Sequence, residues 1–313
     1  MDIKQRVDQI FEEIREIRRE LHMYPELSEK EFETADRICN YLDKYDIEYE
    51  RNVAGTGVVA IIRGKEAGRT VAARADIDAL PMTEDNDLPY KSRNEGVMHA
   101  CGHDVHTAIH LGVARLFKEM EDEIQGNVKI FFQPAEETIG GAKRMIEEGH
   151  LKNPDVEYVL ALHVASGLEV GNIQLKYGTQ NAGNNEFSIK VIGKSSHAAY
   201  PHGSADAIVA TGHIITALQS LVSRNISPQE SVVVTIGTVN GGTKENIISG
   251  QVTMLGTIRA LNGETMVFTK KRLKEIAENT AKAYGTQAIV EFDEEGAYPS
   301  IVNDREVVDL VKE

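Results

Sequence analysis

The stretch VKIFFQPAEE, Val128–Glu137, decides the fold. Val128 to Phe132 is a short, nearly continuous apolar run, the pattern of a strand buried inside a sheet. Two adjacent carboxylates, Glu136 and Glu137, follow directly after it. Upstream, Gly57 to Arg63 (GVVAIIR) and Thr70 to Ala75 (TVAARA) read as strands, and downstream so does Val156 to Leu162 (VEYVLAL). Residues 104–120 (DVHTAIHLGVARLFKEM) read as a helix with Asp104 as its N-cap and Val105, Ile109, Val113 and Leu116 on its apolar face. A shorter helix runs through Ala142 to Glu148 and ends at Gly149. Strands alternating with helices predict an α/β fold whose mixed sheet is largely parallel.

Two helices precede the sheet. Val7, Ile10, Phe11, Ile14, Ile17 and Leu21 fall at helical spacing over residues 4–22. Ser28 with Glu31 three residues later reads as a capping box for a second helix, on which Ala35, Ile38, Cys39 and Leu42 share a face. Cys39 is therefore expected to be a buried structural thiol.

After about Gly178 the pattern changes. Strands at Phe187–Ile192, Ser231–Val239, Gln251–Ile258 and Gln287–Phe292 alternate with helices at Asp206–Val222 and Glu264–Tyr284. The order β-α-β-β-α-β is that of a ferredoxin-like unit. The expected organisation is a first domain over 1–178, an inserted domain over 179–295, and a return of the first domain at 296–313, where AYPSIVNDREVVDLVKE reads as a loop and the first turns of a helix.

The bulk properties narrow the function. The chain has 313 residues and a net charge of −15, from 49 acidic and 34 basic residues. A length of this order suggests about two domains, and the acidity argues against a nucleic-acid partner. Nothing reaches the roughly 18 apolar residues of a membrane span. The charged, amphipathic start has no secretory h-region, and two distant cysteines make no disulfide framework, so a cytoplasmic protein is expected.

Four polar clusters stand at strand ends or a helix start: Asp76 with Asp78 (RADIDALP), Glu136 with Glu137, His163, and Cys101 with His103 (HACGHD). In an open α/β sheet, ligands bind beyond the carboxyl ends of the strands, so these distant groups are expected to converge. Thiolate, imidazole and carboxylate are the usual zinc donors. Gly102 permits Cys101 and His103 to bend toward one ion. Adjacent carboxylates can divide labour, one ligating and one moving protons. Each cluster alone has a plainer reading: a Glu-Glu pair is ordinarily solvated, and a histidine after a strand is ordinarily structural. His99, His106 and His110 read as structural or supporting rather than as ligands.

Seven segments carry a family resemblance: RRELHMYPELSEKEFETADRI, RADIDALP, MHACGHDVHTA, FFQPAEET with GGAKRMIEEG, ALHV, GKSSHAAYPHGSADAI and GTVNGGTKENIIS. In this order they resemble the zinc-dependent aminoacylase and carboxypeptidase family, in its amidohydrolase branch of hippurate hydrolase, N-acyl-L-amino-acid amidohydrolase and auxin-conjugate hydrolase. The resemblance implies a dinuclear-metal peptidase-type catalytic domain plus a ferredoxin-like lid that also forms a homodimer. It implies two divalent metal ions, zinc first, with manganese, cobalt or nickel as substitutes. Cys101, His103, Glu137 and His163 match the family's ligands, Glu136 its general base and Asp78 its catalytic aspartate. His197 matches a histidine that reaches a neighbouring subunit's site and supports the oxyanion. Asn246 and Arg259 match lid positions expected to contact substrate.

The implied reaction is hydrolysis of the amide bond of a small-molecule N-acyl amino acid to a carboxylic acid and an amino acid. A dipeptidase and an N-acetyl-diaminopimelate deacetylase are alternatives. The family's further histidine ligand near its C-terminus has no counterpart here, since no histidine follows His213. That departure implies a truncated chain with an unfinished site, and keeps a catalytically silent, ligand-binding or dimerising relative as a further alternative.

Overall fold

Helix α1 (Ile3–Met23) begins where the Asp2 carboxylate accepts the N–H groups of Lys4 and Gln5 at 3.1 and 3.3 Å. Its Ile10 and Leu21 are buried, and Ile14 and Ile17 pack against the core, as the helical spacing requires. Helix α2 (Phe32–Lys44) buries Ala35, Ile38, Cys39 and Leu42 on the expected face. The expected capping box is absent. Glu26 caps the helix instead, its carboxylate accepting from the N–H of Thr34 at 2.7 Å, while the side chains of Ser28 and Glu31 turn inward to other loops. These contacts come from a computed structural model that describes residues 2–138, 140–294 and 296–312. The chain divides into two compact units, Met1–Ile173 and Gln174–Glu313.

The first unit is built on strands β1 (Glu48–Val53), β2 (Gly57–Arg63) and β3 (Glu66–Asp76), helix α3 (His103–Glu119), β4 (Gln125–Gln133), α4 (Gly141–Glu147) and β5 (Val156–Ala161). The sheet order is β1-β2-β4-β3-β5. Strand β4 is central and buried along most of its length, which explains its apolar run. Lys129 interrupts that run, and its ammonium is satisfied by donating to the carbonyls of His150 and Lys152 at 2.9 and 2.7 Å. The expectation of a largely parallel sheet needs correcting. β3 is parallel to β4 and to β5, whereas β1–β2 and β2–β4 are antiparallel. The physical reason is the short link from β1 to β2, which can only make a hairpin. β4 then slots between β2 and β3. The chain crosses over its start where a β-carbon on Gly126 (φ 90°) would overlap the Arg69 carbonyl, so only glycine fits there.

The start of α3 also differs from expectation. The N-cap is Gly102, at φ 90°, and Asp104 lies inside the helix with its side chain fully buried. Its carboxylate faces Arg18 Nε at 2.8 Å and accepts from His22 Nδ1 at 2.7 Å. The other ring nitrogen of His22 faces Glu84 at 3.2 Å.

The second unit contains β6 (Gly178–Asn181), β7 (Gly183–Ile192), β8 (Ser196–His197), α5 (Ala207–Asn225), β9 (Val232–Gly241), β10 (Ile247–Ile248), β11 (Gln251–Ala260), α6 (Gly263–Ala283), β12 (Gln287–Phe292), β13 (Ile301–Asn303) and α7 (Arg305–Lys312). Its main sheet has the order β12-β7-β11-β9, every neighbour antiparallel. β7-α5-β9-β11-α6-β12 is thus the β-α-β-β-α-β order read from the sequence. Phe187, Ile189, Val191, Val252, Met254 and Ile258 alternate onto one face, which α5 and α6 cover with Ile214, Leu218, Leu221, Leu273 and Ala277. The strand β13, not legible beforehand, pairs with β6.

His22 lies between two carboxylates, and the hydrogen bond to Asp104 raises its pKa above the ordinary imidazole value despite burial. His22→Gln is expected to cost about 1.5–3 kcal/mol at about pH 6, the range for hydrogen bonds to charged groups. Because the folded pKa is raised, this contribution is complete below about pH 6.5 and fades as pH rises through the folded value. Denaturant unfolding of both proteins should therefore show a stability gap that narrows as pH rises above about 6.5; a widening gap would contradict this assignment.

Candidate metal centre

The three strands that run parallel end side by side: β3 at Asp76, β4 at Gln133 and β5 at Ala161. Just beyond them stand Asp78, the Glu136–Glu137 pair and His163, and α3 opens beside them with Cys101 and His103. The convergence expected of an open α/β sheet is therefore observed. Gly102 makes the approach possible, because a β-carbon there would collide with the side chain of Val164, next to His163.

Asp78 organises the cluster. It is buried, and Oδ2 accepts from Ser28 Oγ at 2.7 Å and from the Glu137 N–H at 2.9 Å. His103 Nδ1 lies 2.9 Å from the Asp78 carbonyl and 3.2 Å from its Oδ1. With that nitrogen donating, His103 presents Nε2 as a lone-pair donor. His103 Nε2 and Glu137 Oε1 are both buried without a hydrogen-bond partner and lie 3.8 Å apart.

His163 is oriented in the same way. Its Nδ1 donates to the Val164 carbonyl at 2.7 Å, leaving Nε2 3.3 Å from Cys101 Sγ. Donors bound to one ion at about 2.0–2.3 Å stand roughly 3.3–3.8 Å from each other. Two sets of potential ligand atoms, Cys101–His103–His163 and His103–Glu136–Glu137, each lie within 4.8 Å of one another and share His103. The orphaned atoms and the mixed thiol, imidazole and carboxylate chemistry fit a divalent cation.

A third grouping, Asp76–His103–His106, does not fit as well. His106 Nδ1 lies 2.6 Å from Asp76 Oδ1, and its Nε2 accepts the Val164 N–H at 3.0 Å. Both ring nitrogens are occupied, so His106 braces the His163 loop, the supporting role read from the sequence. Asp76 also accepts from Arg74 at 2.7 Å. Burial opposes ionisation of Asp76, but His106 and Arg74 outweigh it and hold its carboxyl far below the usual range. His110 donates from Nδ1 to the His106 carbonyl at 2.8 Å. His99 is buried, and burial lowers its pKa to about 4.

Burial acts on Glu136 and on the Cys101 thiol in the same direction. Burial, reinforced by the neighbouring Glu137 charge, raises the pKa of Glu136, which suits a group that must hold and release a proton. Burial and the same Glu137 charge push the Cys101 thiol up to about 12. A cation placed there would invert that local preference and favour the thiolate.

His197, Asn246 and Arg259 lie in the second unit. β8 pairs with β10 so that His197 opposes Ile247, and the Ala198 N–H donates to the Asn246 carbonyl at 3.0 Å. His197 Nδ1 accepts the Ala199 N–H at 3.2 Å, which leaves Nε2 as the donor nitrogen. Arg259 is exposed on β11. Ser28 and Glu31, read as a helix cap, are in fact supports of the site loops. The signal that could have shown this was their place within the first of the seven motifs.

The profile of peptidase family M20/M25/M40 matches residues 72–313. The N-acetyl-L-cysteine deacetylase of Bacillus subtilis (strain 168) is 41% identical over 297 residues, covering 95% of this chain and 70% of that protein. The N-acetyldiaminopimelate deacetylase of Bacillus cytotoxicus is 41% identical over 278 residues, 88% of this chain and 73% of that protein. Among solved structures, Bacillus subtilis YXEP, a dinuclear metal binding peptidase, superposes with a TM-score of 0.83 at 36% identity, covering 96% of this chain and 78% of that one.

A protonated Cys101 thiol must lose its proton when it takes a cation. Calorimetric metal titration in buffers of differing ionisation enthalpy should therefore show about one more proton released by the wild type than by Cys101→Ala, and an affinity that rises with pH. Equal proton release would remove Cys101 from the ligand set.

Proposed function

Because the chain belongs to peptidase family M20/M25/M40, we propose that it is a metal-dependent amidohydrolase that cleaves N-acyl amino acids into a carboxylic acid and an amino acid. The observation that carries this reading is the pair of buried, partnerless donor atoms on His103 and Glu137, set beside a Glu136 whose pKa is raised. The names of two deacetylases at 41% identity support the substrate class. One of them acts on N-acetyldiaminopimelate, which keeps that substrate as a second reading within the same chemistry.

In this proposal Cys101, His103, Glu137 and His163 hold two divalent ions, with zinc as first choice and manganese, cobalt or nickel as substitutes. When bound, the ions supply an acidified water and a polarised amide carbonyl. Asp78 keeps His103 in the tautomer that offers Nε2. Glu136 takes the water's proton on its carboxylate and passes it to the nitrogen of the leaving amine, for which burial tunes it. His197 donates from Nε2 to the oxyanion, a role supported by the acceptor duty of its Nδ1. Asn246 and Arg259 contact the substrate, Arg259 through a carboxylate.

Residues 179–295 serve as a ferredoxin-like lid and as the dimer contact, so that His197 works in a neighbouring subunit's site. The exposed edge strand β9, with Val233 and Val239 at its surface, supports a homodimer. Two free cysteines, Cys39 and Cys101, support a cytoplasmic setting. Among the described residues no helix is long and apolar enough to cross a membrane.

Two variants test the assignment. Glu136→Gln is expected to keep its metal but lose turnover of N-acetyl and N-benzoyl amino acids by about 100-fold or more; near-normal turnover would refute the role. Mixed dimers of Glu136→Gln and His197→Asn chains should regain part of the turnover that each parent lacks. Recovery that never exceeds the parents would place His197 outside the neighbouring site.

A further inference from the structure

Ala135 immediately precedes the Glu136–Glu137 pair and sits at φ 51°, in the left-handed region that a residue with a β-carbon avoids. It is buried, and its carbonyl accepts from the Gly140 N–H at 3.0 Å, closing the loop that carries both carboxylates. A strained turn of this kind persists only where its surroundings over-determine it. The Ala135 N–H donates to Glu31 Oε1 at 2.8 Å, and Thr56 Oγ1 donates to Glu31 Oε2 at 2.6 Å. Glu31 is fully buried and belongs to the same sequence motif as Ser28.

The segment around Glu31 reaches the site from behind in a second way. Leu27 bridges to Ala79, the Glu26 carbonyl accepts the Ala79 N–H at 2.8 Å, and Ser28 donates to Asp78, which holds the Glu137 N–H. The backbone on both sides of Glu136 is thus tied to residues 26–31: Ala135 through Glu31, and Glu137 through Asp78 and Ser28. Burying a carboxylate against neutral donors is unfavourable unless its geometry is used. The geometry here does one thing no apolar residue could do, which is to accept an N–H from a residue in a left-handed turn.

We propose that Glu31 is a positioning residue: by accepting the Ala135 N–H it holds the left-handed turn that aims Glu136 and Glu137 into the donor cluster. The proposal rests on the roles given above to those two glutamates. What matters is the reach of the side chain, and its charge is secondary. Glutamine keeps an oxygen at the right distance, whereas aspartate keeps the charge but falls short by one methylene.

The test compares Glu31→Asp with Glu31→Gln in the full chain, alongside the wild type and Glu136→Gln. Three quantities are measured: kcat and KM on an N-acetyl amino acid, bound metal per chain, and hydrogen exchange of the peptide spanning residues 134–138 in metal-free protein. Glu31→Asp should lose about 100-fold in kcat with KM little changed, the scale of a misplaced catalytic group. It should also show faster exchange at Ala135 and bind less metal. Glu31→Gln should stay near the wild type in all three. Adding Ala135→Gly to Glu31→Asp should recover part of the lost kcat, because glycine adopts the left-handed turn without help. The opposite ranking, with the Gln variant impaired and the Asp variant intact, would overturn the proposal, as would unchanged exchange at Ala135 in Glu31→Asp. A wild type without amidase turnover, or an active Glu136→Gln, would instead refute the functional reading, and the exchange measurement would still decide the role of Glu31.

Discussion

The carboxylate of Asp78 is the interaction on which the site depends. It is buried, and it gathers a hydroxyl from Ser28, a backbone N–H from Glu137 and the ring of His103 around one group. Those donors come from three separated parts of the chain: the loop before α2, the loop after β4 and the start of α3. In a low-dielectric interior such hydrogen bonds are strong when complete and costly when broken, so the network specifies one arrangement. It also orients a ring: with Nδ1 of His103 turned to Asp78, Nε2 faces the partnerless Glu137 oxygen 3.8 Å away.

Around this centre the charges are out of balance in a consistent way. Asp76, Asp78, Glu136 and Glu137 crowd one sheet end, where Arg74 is bonded to Asp76. Without added positive charge, Glu136 and the Cys101 thiol favour their protonated forms. Burial and Glu137 raise the pKa of Glu136, and the Cys101 thiol is pushed up to about 12. A divalent ion would reverse the thiol's tendency, so the burial that disfavours a bare thiolate is compatible with a metal-bound one.

The layers behind the site give its groups different jobs. His106 spends both ring nitrogens, on Asp76 and on the Val164 N–H, and so supports the loop that presents His163. Arg18 and His22 anchor Asp104, the residue after His103, to helix α1. Glu31 grips the strained turn before Glu136. His106, Asp104 and Glu31 are themselves buried, so each support is held away from water.

Much of this was legible beforehand, and the reasons are specific. Periodicity located α1, α2 and the unit of β7 to β12, because one buried face repeats every 3.6 or 2 residues whatever lies across from it. The apolar run at Val128–Phe132 identified the central strand, and residue chemistry at the strand ends identified Cys101, His103, Glu136, Glu137 and His163 as a converging group. What periodicity could not carry was pairing. Whether β2 lies antiparallel to β4, and that β13 joins β6, depends on partners far away in sequence. Ser28-x-x-Glu31 and Asp104 look like local helix caps because a cap is the commonest use of such residues near a helix start. Only the folded chain brings Asp78, Ala135 and His22 close enough to claim those side chains instead. The sequence by itself determined which groups could bind a cation and which end of the sheet would carry them; the tertiary structure decided their burial, their hydrogen-bond partners and the residues that hold them, because those depend on distances between segments that the linear order leaves open.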